Sequence, residues 1–95
     1  MLTIIIYDIE ETKNRNDLIK KLRHYGLIRI QKSVFAGHLN KNRRQELRKK
    51  IEHNILAEKD SIIQLEICEK CKDQIALIGN SILPTKEKDN YRVLI

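Results

Sequence analysis

Tryptophan is absent from this chain, and phenylalanine occurs once and tyrosine three times. Four aromatic rings are too few to pave a stacking platform for single-stranded nucleic acid, where successive bases each need a ring. Cysteine is scarce as well, limited to Cys68 and Cys71 in a single C-x-x-C. A second pair at zinc-site spacing is missing, so one chain offers only two thiolate ligands. His24, His38 and His53 have no metal-ligand spacing and read as surface residues. The two thiols fit three roles: packing, thiol redox chemistry, or a metal shared across a dimer. Also missing is any run of eighteen apolar residues, and the N-terminal apolar stretch has neither a basic region before it nor a small-residue cleavage site. A membrane span or signal peptide is therefore not expected, and the cytoplasm is.

What the chain does have is aliphatic bulk and basic charge. Apolar residues make up 41% of its 95 positions, enough for a core and too many for a disordered segment. At this length the buried fraction is modest and a lone monomer is marginal. The formal charge is +6, unevenly spread. The first fifty residues carry thirteen Lys/Arg against five Asp/Glu, and the KNRRQELRKK stretch at 41–50 supplies six of those cations. Such asymmetry suits a polyanion or a solvated helix face.

Along the chain, LTIIIY (2–7) reads as a strand. Leu18, Ile19, Leu22 and Tyr25 then recur at helical spacing, with Thr12 or Asn14 as the cap and Gly26 just past the end. LIRI (27–30) and SVFAGHL (33–39) read as two strands. After Asn40 comes a second helix with Leu47, Ile51 and Ile55 on one stripe. SIIQLEI (61–67) is a fourth strand, with Ile63, Leu65 and Ile67 on one face, and QIALIG (74–79) reads as a fifth. A loop follows over 80–90, and YRVLI closes the chain as one more strand. No repeat or internal boundary is visible. The βαββαβ order predicts an α+β, ferredoxin-like domain over 1–79, with a C-terminal extension over 80–95.

The first strand raises two questions. Leu2, Ile4 and Ile6 alternate with Ile5 and Tyr7, so both of its faces are apolar and both need cover. Two helices cover one face, and a second copy of the chain is the simplest cover for the other. A sheet-to-sheet homodimer is the expectation. The strand then runs straight into Asp8. A carboxylate there either caps a turn or, facing its copy across a two-fold axis, shares a cation with it. Mg²⁺ suits the second arrangement, because it keeps several waters and takes one or two carboxylates.

The order of YDI at 7–9, Asn14-Arg15-Asn16, YGL at 25–27, Arg29, QKSVF at 31–35, Gly37 and CEKC at 68–71 resembles the CRISPR-associated protein two family over residues 1–79. That resemblance implies a ferredoxin-like homodimer whose C-terminal strand pairs with the partner's sheet. It also implies the CRISPR integrase as partner, with duplex DNA held between them for spacer acquisition. A metal-dependent nuclease acting on RNA or DNA is implied too, with Asp8 as ligand of Mg²⁺, or of Mn²⁺ in its place, shared between two protomers. Tyr7, Arg15, Arg29 and Phe35 match positions associated with the catalytic site or its surroundings. Position 17, where relatives often have a second basic residue, is Asp here.

Each of these residues has a second reading. Tyr7 and Phe35 fit packing as well as base stacking. Arg15 fits a phosphate contact or a salt bridge to Asp8 or Glu11. Arg29, on an otherwise apolar strand, should face a groove or a carboxylate. Lys13, Arg15, Arg29, Lys32, Arg43 and Arg44 form the candidate nucleic-acid contacts, whether with duplex DNA or single-stranded RNA. Three functions follow: a nuclease, a non-catalytic scaffold for duplex DNA, or a toxin-type ribonuclease resembling virulence-associated protein D.

Overall fold

The computed structural model describes residues 1–54, 58–84 and the backbone of 91–93. The elements run β1 (Leu2–Asp8), α1 (Thr12–His24), β2 (Ile28–Gln31), β3 (Val34–His38), α2 (Lys41–Ile51) with a 3-10 turn at Glu52–Asn54, β4 (Ser61–Ile67), α3 (Glu69–Lys72), β5 (Ile82–Pro84) and β6 (Tyr91–Val93). The main sheet has the order β2-β3-β1-β4, antiparallel at every pairing, and β5 pairs with β6 in a separate two-stranded sheet. This is the ferredoxin-like α+β arrangement that the order of elements predicts.

The helices lie on one face because one stripe of each is apolar. Leu18 and Leu22 of α1, with Leu47 and Ile51 of α2, pack onto Ile5, Tyr7 and Phe35. Each side chain fully buried this way contributes about 1.5–3 kcal/mol. Ile55, the third residue of the expected α2 stripe, lies outside the described residues. Asn40 caps α2, its side chain accepting from the Arg43 amide at 2.8 Å. The start of α1 departs from expectation. Its N-cap is Glu11, which makes no side-chain cap bond, while Thr12 and Asn14 lie inside the helix. Their side chains are engaged elsewhere: the Thr12 hydroxyl accepts from Arg15, and the Asn14 carboxamide donates to the Asn54 carbonyl.

The far end of α1 is closed by Gly26, whose φ of 85° lies in the left-handed region. Its amide donates to the Arg23 carbonyl at 3.0 Å, and the Leu27 amide donates to that of Leu22 at 3.1 Å. These two bonds form a Schellman motif, and they turn Leu27 into the core beside Leu22. Gly37 on β3 makes room for that turn. A Cβ there would sit 3.1 Å from the Leu27 Cα and 3.2 Å from the Gly26 carbonyl oxygen.

The other sheet face is covered in part by the chain itself, where a second copy was the simplest cover expected. Residues 74–79 form no strand. Ile75 and Leu77 instead pack with Leu83 against Leu2, Ile4, Ala36, Ile30 and Ile67. The alternating apolar residues that suggested a strand pack against the sheet face, not into its hydrogen-bonded ladder. The expected 80–90 loop likewise contains β5, while 85–90 lie outside the described residues. The expected closing strand is present as Tyr91–Val93, with 94–95 outside the description. Cover is incomplete. Ile63 and Leu65 remain 51% and 40% exposed on β4, next to half-buried Ile6 and Val34.

Candidate functional site

β1 is the central strand that ends at Asp8, where three connections converge. Asp8 pairs in register with Ser61 at the start of β4. On the other side, the Tyr7 amide donates to the Ser33 carbonyl and the Tyr7 hydroxyl to that of Lys32, each at 3.1 Å. The β2–β3 turn therefore sits against the last core residue of β1. Tyr7 is buried and Asp8 is exposed. Strand alternation accounts for the change: the hydrophobic run ends where the sheet ends, and the next side chain emerges into water.

The loop after Asp8 is held from two directions. The buried Asp60 carboxylate accepts from the Glu10 amide at 3.1 Å and faces the Asn14 carboxamide at 3.5 Å. The Arg15 guanidinium donates to the carbonyls of Ile9 (3.0 Å) and Glu10 (3.4 Å) and to the Thr12 hydroxyl (3.1 Å). Arg15 thus takes neither of its predicted carboxylate partners. It ties up the carbonyls of the β1–α1 turn and fixes the backbone from which Asp8 projects. Behind it lies a polar network that the sequence did not suggest. The Asn54 side chain donates to the Asn14 Oδ1 at 3.4 Å and accepts from Lys21 Nζ at 3.0 Å, and Lys21 also reaches the Lys50 carbonyl at 3.4 Å. Asn14, Asn54 and Asp60 are all buried, so this network joins α1, the end of α2 and the entry to β4 through satisfied polar groups. The one sequence signal for it is Asn14 itself, a polar residue on the stripe continued by Leu18 and Leu22.

The remaining candidates separate into packing and surface roles. Phe35 is wholly buried in the core, and its ring lies 6.2 Å from that of Tyr7. Neither ring is open to a base or to a reacting phosphate, and Tyr7 already spends its hydroxyl on Lys32. Arg29 faces neither a groove nor a carboxylate. It is opposite Phe35 in register, and its guanidinium lies 5.4 Å from the ring centroid, with Arg23 at 6.0 Å. Both arginines cover an aromatic ring at the sheet margin, a cation–π arrangement. Lys13 is exposed in the first turn of α1, and Lys32 is exposed in the β2–β3 turn beside the end of β1.

On α2 the two predicted DNA contacts are occupied by the fold. Arg43 stacks 4.4 Å from the Tyr25 centroid. Arg44 pairs with Glu66 at 3.6 Å, and Glu66 also accepts from the Thr3 hydroxyl at 2.6 Å and the Gln64 amide at 2.8 Å. Lys41, Arg48, Lys49 and Lys50 are exposed along the same helix. Open grooves beside it are lined by Lys41, Arg44, Gln45, Arg48 and Glu66, and by Arg48, Ile51, Glu52, Ile62 and Gln64.

Among the described residues no group of three or more His, Cys, Asp or Glu could hold a metal ion. The donor set at the end of β1 is one exposed hard-oxygen carboxylate per chain, which fits Mg²⁺ as half of a shared site.

The family model described as CRISPR associated protein Cas2 matches residues 1–75. The chain is 39% identical over 79 residues to the CRISPR-associated endoribonuclease Cas2 1 of Methanospirillum hungatei, covering 83% of each chain. It is 33% identical over 81 residues to the protein of the same name from Archaeoglobus fulgidus, covering 85% of this chain and 86% of that one. Among solved structures, a hypothetical protein of Thermus thermophilus superposes with a TM-score of 0.74 at 26% identity, over 88% of this chain and 96% of its own. Streptococcus pyogenes Cas2 superposes with a TM-score of 0.70 over 83% of this chain and all of its own; at 20% identity that likeness speaks to the fold.

Proposed function

The chain belongs to the CRISPR associated protein Cas2 family, and on that premise we propose that it is an endoribonuclease subunit of a CRISPR system that acts through Asp8. The observation that carries this reading is the emergence of an exposed carboxylate from the rigid end of the central strand, on a turn braced by Arg15 and Asp60. A carboxylate held on a stiff scaffold suits phosphodiester chemistry, where positioning and electrostatics do most of the work. Asp8 of two protomers would hold the Mg²⁺, which when bound supplies Lewis-acid stabilisation of charge building on the phosphate. The chain's own part is to orient: Arg15 and Asp60 fix the turn, and Lys32 places a cation beside the end of β1 for a phosphate oxygen.

The shared site requires a homodimer, and the exposed Ile63 and Leu65 on β4 supply an apolar face for one. Sedimentation at micromolar concentration should give a dimer for the native chain and a monomer for Leu65→Lys. A monomeric native chain would remove the shared site. Partnership with the CRISPR integrase and binding of duplex DNA extend this reading, supported by the exposed cations of α2. Because Arg43 and Arg44 are held by Tyr25 and Glu66, Lys41 and Lys49 are the better candidates for phosphate contact. The scaffold reading draws on the same surface and on there being a single carboxylate per chain at the site. Asp8→Asn separates the two. It removes the anionic ligand with little change of shape, so Mg²⁺-dependent RNA cleavage should be lost while folding and duplex binding persist. Cleavage that survives in the variant, or in EDTA, overturns the nuclease assignment.

A further inference from the structure

The function just proposed leaves the C-x-x-C unused, at the opposite end of β4 from Ser61 and Asp8. Cys68 is the N-cap of α3 and Cys71 its third residue. N-cap and third helical residue are the two positions that a capping box links, each side chain reaching the other's backbone amide. Here the pair is sulfur with sulfur. The Cys71 amide donates to the Cys68 sulfur at 3.4 Å, and both residues are free thiols. Cys71 is exposed and Cys68 half-exposed, so neither is a packing cysteine buried away from solvent.

We propose that Cys68 and Cys71 form a redox-active dithiol that interconverts with an intramolecular disulfide by exchange with low-molecular-weight disulfides. The roles within the pair are unequal. Hydrogen bonds from the Cys71 amide and thiol hold the Cys68 thiol below the ordinary cysteine value, while the bond to Cys68 and its charge push the Cys71 thiol up. Cys68 is accordingly the attacking thiolate. Its sulfur attacks one sulfur of the small disulfide, forming a mixed disulfide and releasing one small thiolate. Cys71 then loses its proton and attacks the Cys68 sulfur, releasing the second small thiolate. The chain loses two electrons and two protons, and the small disulfide gains them as two thiols.

The ring so closed is short and solvent-facing. Those features put it with labile, reversible disulfides and apart from structural ones. Its position gives the reaction a mechanical consequence. Cys68 directly follows β4, and α3 is the joint from which Ile75, Leu77 and Leu83 hang over the open sheet face. Closing the ring restricts that joint. This inference is independent of the Asp8 chemistry and stands or falls without it.

The test uses the full chain in graded mixtures of reduced and oxidised glutathione, quenched in acid, alkylated and weighed by mass spectrometry. Both thiols should lose alkylation together in one transition, with the mass of two hydrogens lost per chain and no cross-link between chains. Cys71→Ser should accumulate a glutathione adduct on Cys68, and Cys68→Ser should form its adduct several times more slowly. Three results would overturn the proposal. One is full alkylation in every mixture, another is oxidation only between chains, and the third is stoichiometric Zn²⁺ that protects both thiols, which would make the pair half of a metal site.

Discussion

The family resemblance implies a place for Phe35 at or near the catalytic site, whereas in the fold it is the largest wholly buried side chain among the described residues. Phe35→Ala distinguishes these roles. Truncating a buried phenylalanine costs about 3–5 kcal/mol. The ring also supports Arg29 at 5.4 Å, and a cation–π contact at an exposed margin adds about 0.5–1 kcal/mol. A chain of 95 residues has a total stability of about 5–14 kcal/mol, so Phe35→Ala should remove a large share of it. With a urea slope of about 1–3 kcal/mol per molar, the midpoint should fall by about 2 M, followed by far-UV circular dichroism. Protein concentration must be held fixed, because any dimerisation adds to apparent stability. Phe35→Leu keeps most of the volume and should cost only about 1–2 kcal/mol, leaving a folded protein whose RNA cleavage is unchanged. Arg29→Ala, which removes only the outer partner of the ring, should cost about 0.5–1 kcal/mol. The reasoning fails if Phe35→Leu keeps the native midpoint and loses cleavage, since the ring would then act in the chemistry. It fails equally if Phe35→Ala costs less than about 1 kcal/mol, well below the range for a buried ring.

Two further outcomes follow from buried polar groups. Asn14→Leu keeps roughly the same volume but removes the donor to the buried Asn54 carbonyl, and should cost about 1–3 kcal/mol in denaturant unfolding; a neutral result would mean the network is not under tension to be satisfied. His38 contacts Lys72 Nζ at 3.1 Å and the Pro84 carbonyl at 3.2 Å, and burial first, then the Lys72 charge, lowers its pKa from 6.5, with the Pro84 carbonyl and Glu69 opposing and the N-terminal amine adding to the fall. The unfolded chain then binds this proton more readily than the folded one, so stability is full above pH 6.5 and is lost as pH falls through that value toward the lower folded one. His38→Gln should flatten that slope in thermal unfolding followed against pH, and an unchanged slope would refute the assignment to His38.

The periodic signals in the sequence carried the main fold because they are local. Leu18, Leu22, Leu47 and Ile51 mark the inner helix faces whatever they pack against, and Gly26 marks a helix end through its own backbone geometry. Residues 74–79 mark the limit of that logic. An apolar run records the need for burial, but it does not record whether hydrogen-bonding partners for a ladder are within reach. Here the run meets a sheet face, packs onto it through Ile75 and Leu77, and forms no strand. A second copy of the chain was inferred from the same apolar face, and the chain's own tail takes part of that role.

The site residues show the same division in terms of charge. Asp8 was legible because a charge ends an otherwise hydrophobic strand. The arginines were legible in number but not in destination. A guanidinium reaches several ångströms from its backbone, and what it meets is decided by elements distant in sequence. Arg15 finds carbonyls of the turn before its own helix, Arg29 finds a ring across a strand pair, Arg43 finds Tyr25 just past the end of α1, and Arg44 finds Glu66 on β4. The +8 balance of the first fifty residues therefore overstates the charge available to a polyanion. A substitution series aimed at Arg44 would unfold the α2–β4 junction before it reported on nucleic acid, because a negative side chain there would face Glu66. Lys41 and Lys49, exposed on the outer side of the same helix, carry the part of that charge that remains for a phosphate backbone.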